Sequence, residues 1–196
     1  MTNFLQRYPI SIWPLIFALI MLILAAFGLE VRNALRLDSA VIGDGHWWRF
    51  ITAHWVHIGW EHALLNIAGF ILVSWLQPKV HWASWLLFYL IASVLTSAYL
   101  ILHSKIGTYV GASGVLHGLL ILGAYSSQWL DTKRKILMIL AITLKLVWEQ
   151  SPLYQGDSIE HLIGARVAVD AHLIGGICGL FVVLILLIKK RQKLNS

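Results

Sequence analysis

Ala171-His172-Leu173-Ile174-Gly175-Gly176-Ile177-Cys178-Gly179 sets an imidazole above a ladder of glycines, early in the apolar stretch Val167–Ile188. A second stretch, opening at Gly111-Ala112-Ser113-Gly114, carries a hydroxyl between glycines. Polar groups of this kind are costly to place in lipid, and inside a membrane span they point to function. The question is whether the rest of the chain brings Ser113 and His172 to the same depth.

The composition says that they lie in a bilayer. Of 196 residues, 59% are hydrophobic and only 12% are charged. A soluble domain carries about 25% charged residues. The expectation is an all-α polytopic membrane protein forming one domain over residues 1–196. The net charge of +6 does not call for nucleic acid, because the basic residues cluster at membrane edges. A single cysteine, Cys178, excludes an internal disulfide and reads as a packed small residue between Gly176 and Gly179.

Six stretches approach the ~20 residues that a helical span requires: Ile10–Leu29, Glu61–Leu76, Trp82–His103, Ser113–Leu130, Ile136–Trp148 and Val167–Ile188. The first reads as a retained anchor rather than a signal peptide. The fifth is short and interrupted by Lys145, which can snorkel. The segment Glu30–Trp60, with Trp47, Trp48, Trp55 and Trp60, suits a loop lying in the interface. Arg7, Lys79, Lys133, Arg134, Lys135, Lys189, Lys190, Arg191 and Lys193 fall on one side, nine of the fifteen basic residues. That excess marks the cytoplasmic side, so both termini are expected there. Spans two, four and six then begin at the outer face.

Each of those three spans begins with polar groups. His62 and Asn66 share a face of span two, Ser113 opens span four, and His172 lies a turn into span six. Gly175, Gly176 and Gly179 fall below His172 on its own face, and Gly114 and Gly118 are four apart on span four. Small residues at this spacing let helix backbones approach closely. A close crossing would bring the Ser113 hydroxyl to the His172 imidazole, the arrangement that activates a serine nucleophile. His62, Asn66 and the Ser113 backbone N–H are the candidate donors to an oxyanion, Gly111 is counted with His62 and Asn66 in stabilising the oxyanion and substrate, and Gly111 and Gly114 leave the backbone around the serine uncrowded. Asp170 points away from His172 and is expected to pair with Arg166, so a Ser-His dyad is favoured over a triad. His54, His57 and His62 lack the HExxH pattern of a hydrolytic zinc helix, and neither a metal nor another cofactor is expected.

Together these residues resemble the rhomboid family of intramembrane serine proteases. The likeness rests on Trp48-Arg49, His57, His62-x3-Asn66, Gly111-x-Ser113-Gly114 and Ala171-His172-x2-Gly175-x3-Gly179, in order along nearly the whole chain. It implies a compact six-helix fold with Ser113 as nucleophile, His172 as general base, and His62 and Asn66 at the oxyanion. Trp48-Arg49 would brace the first loop. Rhomboids often carry a tyrosine four residues after the serine, stacked on the catalytic histidine; here that position is His117.

Gly111–Gly118 and Val167–Gly176 are similar to rhombosortases, a bacterial subfamily. That likeness implies a bacterial inner-membrane enzyme cleaving membrane-anchored proteins at C-terminal Gly-Gly signals that precede a transmembrane segment. The alternative is an inactive rhomboid-like protein that binds transmembrane helices. The loop Glu149–Ala165 is a candidate lid over the site.

Overall fold

The computed structural model describes residues 11–77, 79–104 and 106–195. Ile10, where the first span was expected to begin, and Arg7 of the charge count lie outside the described residues. The order is α1 (Ile12–Ala26), α2 (Gly28–Leu35), β1 (Leu37–Asp38), α3 (Ser39–Ile42), α4 (Arg49–Thr52), α5 (Trp60–Leu76) and α6 (Trp82–His103). Then come β2 (Thr108–Tyr109), α7 (Ser113–Ser126), α8 (Thr132–Glu149), α9 (Asp157–Ile163) and α10 (Val169–Asn195). The strands form one antiparallel pair, Leu37 opposite Tyr109, a small departure from an all-helical chain.

Local chemistry sets several of these boundaries. Asp131 caps α8, its Oδ1 accepting from the Arg134 amide at 2.8 Å. Asp38 caps α3 in the same way. Gly164 ends α9 in the left-handed conformation, at φ 71°.

Among the described residues, two helices are long and apolar enough on their own to cross a membrane, α6 and α10. The expected first span is instead a broken pair, α1 and α2, bent by 116°. Helices α5 and α7 are apolar but shorter, at 17 and 14 residues. Length and apolarity alone therefore do not carry six crossings. Large apolar side chains project outward along α1, α5, α6, α8 and α10, among them Ile20, Leu64, Leu87, Leu140 and Phe181. Such a surface belongs against acyl chains, and the protein is a multi-pass membrane protein.

The core is aromatic on one side and nearly without side chains on the other. Phe17 of α1, Phe70 of α5, and Trp85 and Tyr89 of α6 interlock, and Trp55 stacks on Phe17 at 4.9 Å. Trp55 thus leaves the interfacial set expected of the first loop, whereas Trp47, Trp48 and Trp60 stay exposed. The Phe17 and Tyr89 rings, with centroids 4.9 and 5.0 Å from that of Trp55, supply the aromatic surface that it packs against. Tyr89 donates to the His54 carbonyl at 2.8 Å, and the buried His54 Nε2 lies 3.1 Å from the Ser93 carbonyl. Two polar handles, the Tyr89 hydroxyl and His54 Nε2, are thus paired inside the bundle.

Helices α7 and α10 meet backbone to backbone. A methyl added at Gly114 would lie 2.7 Å from the Ala171 carbonyl oxygen, and one at Gly179 would lie 2.6 Å from that of Gly118. One at Gly175 would overlap the Gly114 carbonyl. No residue but glycine fits these positions. Gly176 does a different job on the same helix: a Cβ there would strike the side chain of Leu146, so its absence seats α8 against α10.

Candidate active site

The backbone turns into α7 at Gly111, whose φ of 117° disfavours any side chain. A Cβ there would also sit 2.6 Å from the His62 ring. The next turn presents Ser113 to α10, and the Ser113 Oγ lies 2.9 Å from His172 Nε2. The glycine seam explains the contact, because helices separated by side chains could not bring a short serine to an imidazole.

Behind His172 stands a carboxylate. Its Nδ1 lies 3.0 and 3.1 Å from the two Glu149 oxygens, and Glu149 is buried at the end of α8. Lys145, one turn earlier, contacts Glu149 Oε1 at 2.7 Å and His117 Nε2 at 2.7 Å. His117 Nδ1 in turn lies 2.7 Å from the Ser113 carbonyl oxygen.

The acceptors assign the protons. A carbonyl only accepts, so His117 carries its proton on Nδ1 and leaves Nε2 to accept from the Lys145 ammonium. A carboxylate only accepts, so His172 carries its proton on Nδ1 and leaves Nε2 bare toward the serine. The hydrogen bonds form a ring that leaves residue 113 by its carbonyl and returns to it by its hydroxyl. The His117 and His172 rings are 4.3 Å apart at 31°, so a histidine holds the stacking position here.

The sequence favoured a dyad without an orienting carboxylate; the structure does place a carboxylate against His172 Nδ1, that of Glu149 rather than of an aspartate near His172 in the chain. Asp170 and Arg166 form no ion pair, because α10 begins at Val169 and Arg166 precedes it. The missed signal was a Lys-x3-Glu pair closing the weakest apolar helix. Lys145 looked like an interruption free to snorkel, and Glu149 looked like the start of a loop.

The remaining expected residues fall around this centre. His62 and Asn66 line the same cavity as Ser113 and His172, a space of about 660 Å³. Asn66 Nδ2 donates to the His62 carbonyl at 2.8 Å, which leaves its second N–H available. The Gly111 N–H does not serve an oxyanion, since it donates to the Ala53 carbonyl at 2.9 Å. Gly111 instead contributes the turn and the clearance for His62. His57 lies edge-on to His62 with ring centroids 5.0 Å apart, and burial pushes its pKa down to about 3. Arg49 donates to the Asn33 and Arg36 carbonyls at 3.0 and 2.8 Å, tying α4 to the end of α2. Trp48 beside it is half exposed and packs on His46. Arg32, Arg36 and Arg166 also line the cavity, as do Ile159 and Ile163 from α9 in the expected lid segment.

His117, Glu149 and His172 offer three ligand atoms within 4.8 Å of one another, a donor set able to hold a metal ion. The Lys145 ammonium lies among these atoms, 2.7 Å from His117 Nε2, 2.7 Å from Glu149 Oε1 and 3.5 Å from His172 Nδ1. The cationic position is thus taken by a side chain of this chain.

The sequence is 24% identical over 211 residues to a Bacillus subtilis (strain 168) protein named "Putative rhomboid protease YdcA", covering 97% of this chain and 94% of the relative. Residues 44–189, which include every member of the ring, match the family described as Rhomboid domain. This chain belongs to the rhomboid family.

Proposed function

We propose that the protein is an intramembrane serine endopeptidase with Ser113 as nucleophile and His172 as general base. The observation that carries this reading is the 2.9 Å contact between Ser113 Oγ and His172 Nε2, open to a cavity that also holds His62 and Asn66. A helix-binding protein without catalysis would have no use for a serine and a base held in hydrogen-bond contact.

The steps follow from the geometry. Ser113 Oγ attacks a substrate carbonyl carbon while its proton passes to His172 Nε2. The oxyanion meets the free N–H of Asn66, the His62 ring edge and the amide of Ser113, which has no intrahelical acceptor in the first turn of α7. Collapse breaks the C–N bond, and the Nε2 proton goes to the departing amine. Water, deprotonated by His172, then releases the acyl group and restores the hydroxyl.

The depth of the site follows from α7. Its 14 residues rise about 21 Å, against a hydrocarbon core of roughly 30 Å. With its C-terminal end at the cytoplasmic boundary, Ser113 lies about 9 Å below the outer one. We take the chain to cross six times with both termini cytoplasmic, α1 and α5 to α8 and α10 being the crossings, in a bacterial inner membrane. Irregular backbone before Ser113 is tolerated at that depth because it is buried in protein and lines a cavity.

Such a site suits a substrate whose span unwinds near the outer face. A Gly-Gly pair before a C-terminal span, the substrate of the rhombosortase reading, loses about 1 kcal/mol of helix propensity per glycine relative to alanine. The test is cleavage of a tagged single-span substrate carrying Gly-Gly, in proteoliposomes. Wild type should cut near that pair, while Ser113→Ala and His172→Ala should not. Activity retained by Ser113→Ala would end the protease reading. An Ala-Ala substrate cut equally well would end the Gly-Gly preference alone.

A further inference from the structure

The geometry points to Glu149 as the positioning carboxylate of a Ser-His-Glu triad, held in place by Lys145 and by the seating of α8 against Gly176. This inference rests on the Ser113–His172 reading and extends it.

Three observations converge. First, both Glu149 oxygens lie within 3.1 Å of His172 Nδ1, so the imidazole is gripped on the edge opposite the serine. Second, Glu149 is 5% exposed at the end of an apolar helix. A carboxylate so buried is costly unless it is paired and hydrogen-bonded, and it has both, from Lys145 at 2.7 Å and from His172. Third, its approach is built by packing: Leu146, three residues before Glu149, is 2% exposed and occupies the space that a side chain at Gly176 would need. Gly176 lies four residues after His172, so α10 carries both the imidazole and the slot that brings the carboxylate to it.

The chemistry of the reaction uses this arrangement. Proton transfer from Ser113 makes His172 an imidazolium, and an anion at Nδ1 stabilises that charge while fixing the tautomer that can accept the proton. Lys145, paired with Glu149 at 2.7 Å, aims its carboxylate. It also donates to His117, whose Nδ1–H holds the carbonyl of the nucleophile's own residue. Glutamine at 149 would reverse the polarity. Its one oxygen is claimed by the Lys145 ammonium, and its amide N–H groups turn toward His172 Nδ1. The imidazole proton then shifts to Nε2, facing the serine, where it blocks proton uptake.

The full-length protein in proteoliposomes provides the test, read by kcat and KM on the tagged substrate, by labelling of Ser113 with a fluorophosphonate probe, and by ¹⁵N NMR of histidine-labelled protein. Glu149→Gln should lower kcat and the labelling rate by roughly 10²-fold or more with KM within about twofold. The His172 resonance, assigned with His172→Ala, should change from the Nδ1–H to the Nε2–H tautomer. Glu149→Asp, which retains the charge but withdraws it by one methylene, should fall between the two. Glu149→Gln with kcat within about threefold of wild type, or with the His172 tautomer unchanged, overturns the proposal. If Glu149→Gln does not fold, Glu149→Asp decides, and wild-type kcat in that variant overturns the proposal as well. An inactive Ser113→Ala beside a fully active Glu149→Gln would sink the triad and leave the Ser113–His172 pair standing. An active Ser113→Ala would sink both.

Discussion

Gly175→Ala should disable the enzyme without touching a reacting atom. At Gly179, two turns deeper than His172, a methyl would sit 2.6 Å from a backbone oxygen, where ordinary contact begins at 3.4 Å. Relief there requires the helices to part by about 0.8 Å. At Gly175, one turn from His172, the overlap with the Gly114 carbonyl is greater, so 0.8 Å is roughly a lower bound. Neither atom belongs to a flexible side chain, so the helices themselves must move. A parting of that size carries the Ser113–His172 separation from 2.9 Å to about 3.7 Å, beyond hydrogen-bond reach. Loss of general-base contact costs about 10²- to 10⁴-fold in rate, and overpacking costs about 1–3 kcal/mol in stability. The assay is substrate cleavage and fluorophosphonate labelling in proteoliposomes beside thermal unfolding. Gly43→Ala serves as the control, since nothing lies within 4 Å of the added methyl and φ is an ordinary −59°. Activity of Gly175→Ala within about threefold of Gly43→Ala would refute the claim that the seam sets the catalytic distance.

Gly111→Ala should lower kcat by about 10²-fold or more, because the residue is held at φ 117° and its methyl would displace the His62 ring; unchanged turnover would remove His62 from the oxyanion. Arg49→Ala should leave the Asn33 and Arg36 carbonyls without their donor and lower thermal stability by about 1–3 kcal/mol, with KM rising more than kcat falls. Acid should destabilise the fold. Burial holds the pKa of His54 down to about 4 and that of His57 down to about 3, against 6.5 in an unfolded chain. The unfolded state takes up protons first as pH drops, so the stability present above pH 6.5 is lost progressively toward pH 4. At pH 5 each imidazole costs roughly 2 kcal/mol, and thermal scans at pH 7 and pH 5 should differ by several degrees. A melting temperature flat across that window would contradict neutral, buried rings.

Ser113, His172, His62 and Asn66 were legible because each announces itself locally: a polar group at the start of an apolar stretch, with small residues at helical spacing. The crossing of α7 and α10 was legible for the same reason, since glycines four apart describe a face. Glu149 was not. It is 23 residues from His172 in the chain, and its approach depends on how α8 seats against Gly176, a packing fact with no local signature. The first loop was read by composition, which placed all its tryptophans at the interface. Trp55 went inward because Phe17 and Tyr89 leave an aromatic slot that the loop alone cannot reveal. The bend between α1 and α2 was not legible because the apolar run continues past it only to Leu29, while the backbone already turns at Gly28, φ 72°.

Where peptide oxygen rests directly on glycine carbon, nothing can rotate to absorb error. A joint made of leucines could be retuned by swapping one rotamer for another, but a seam of bare main chain is as stiff as the peptide unit itself. Under the protease reading, adaptation to new substrates falls to the arginines and isoleucines around the opening, while the seam holds the two helices at one spacing.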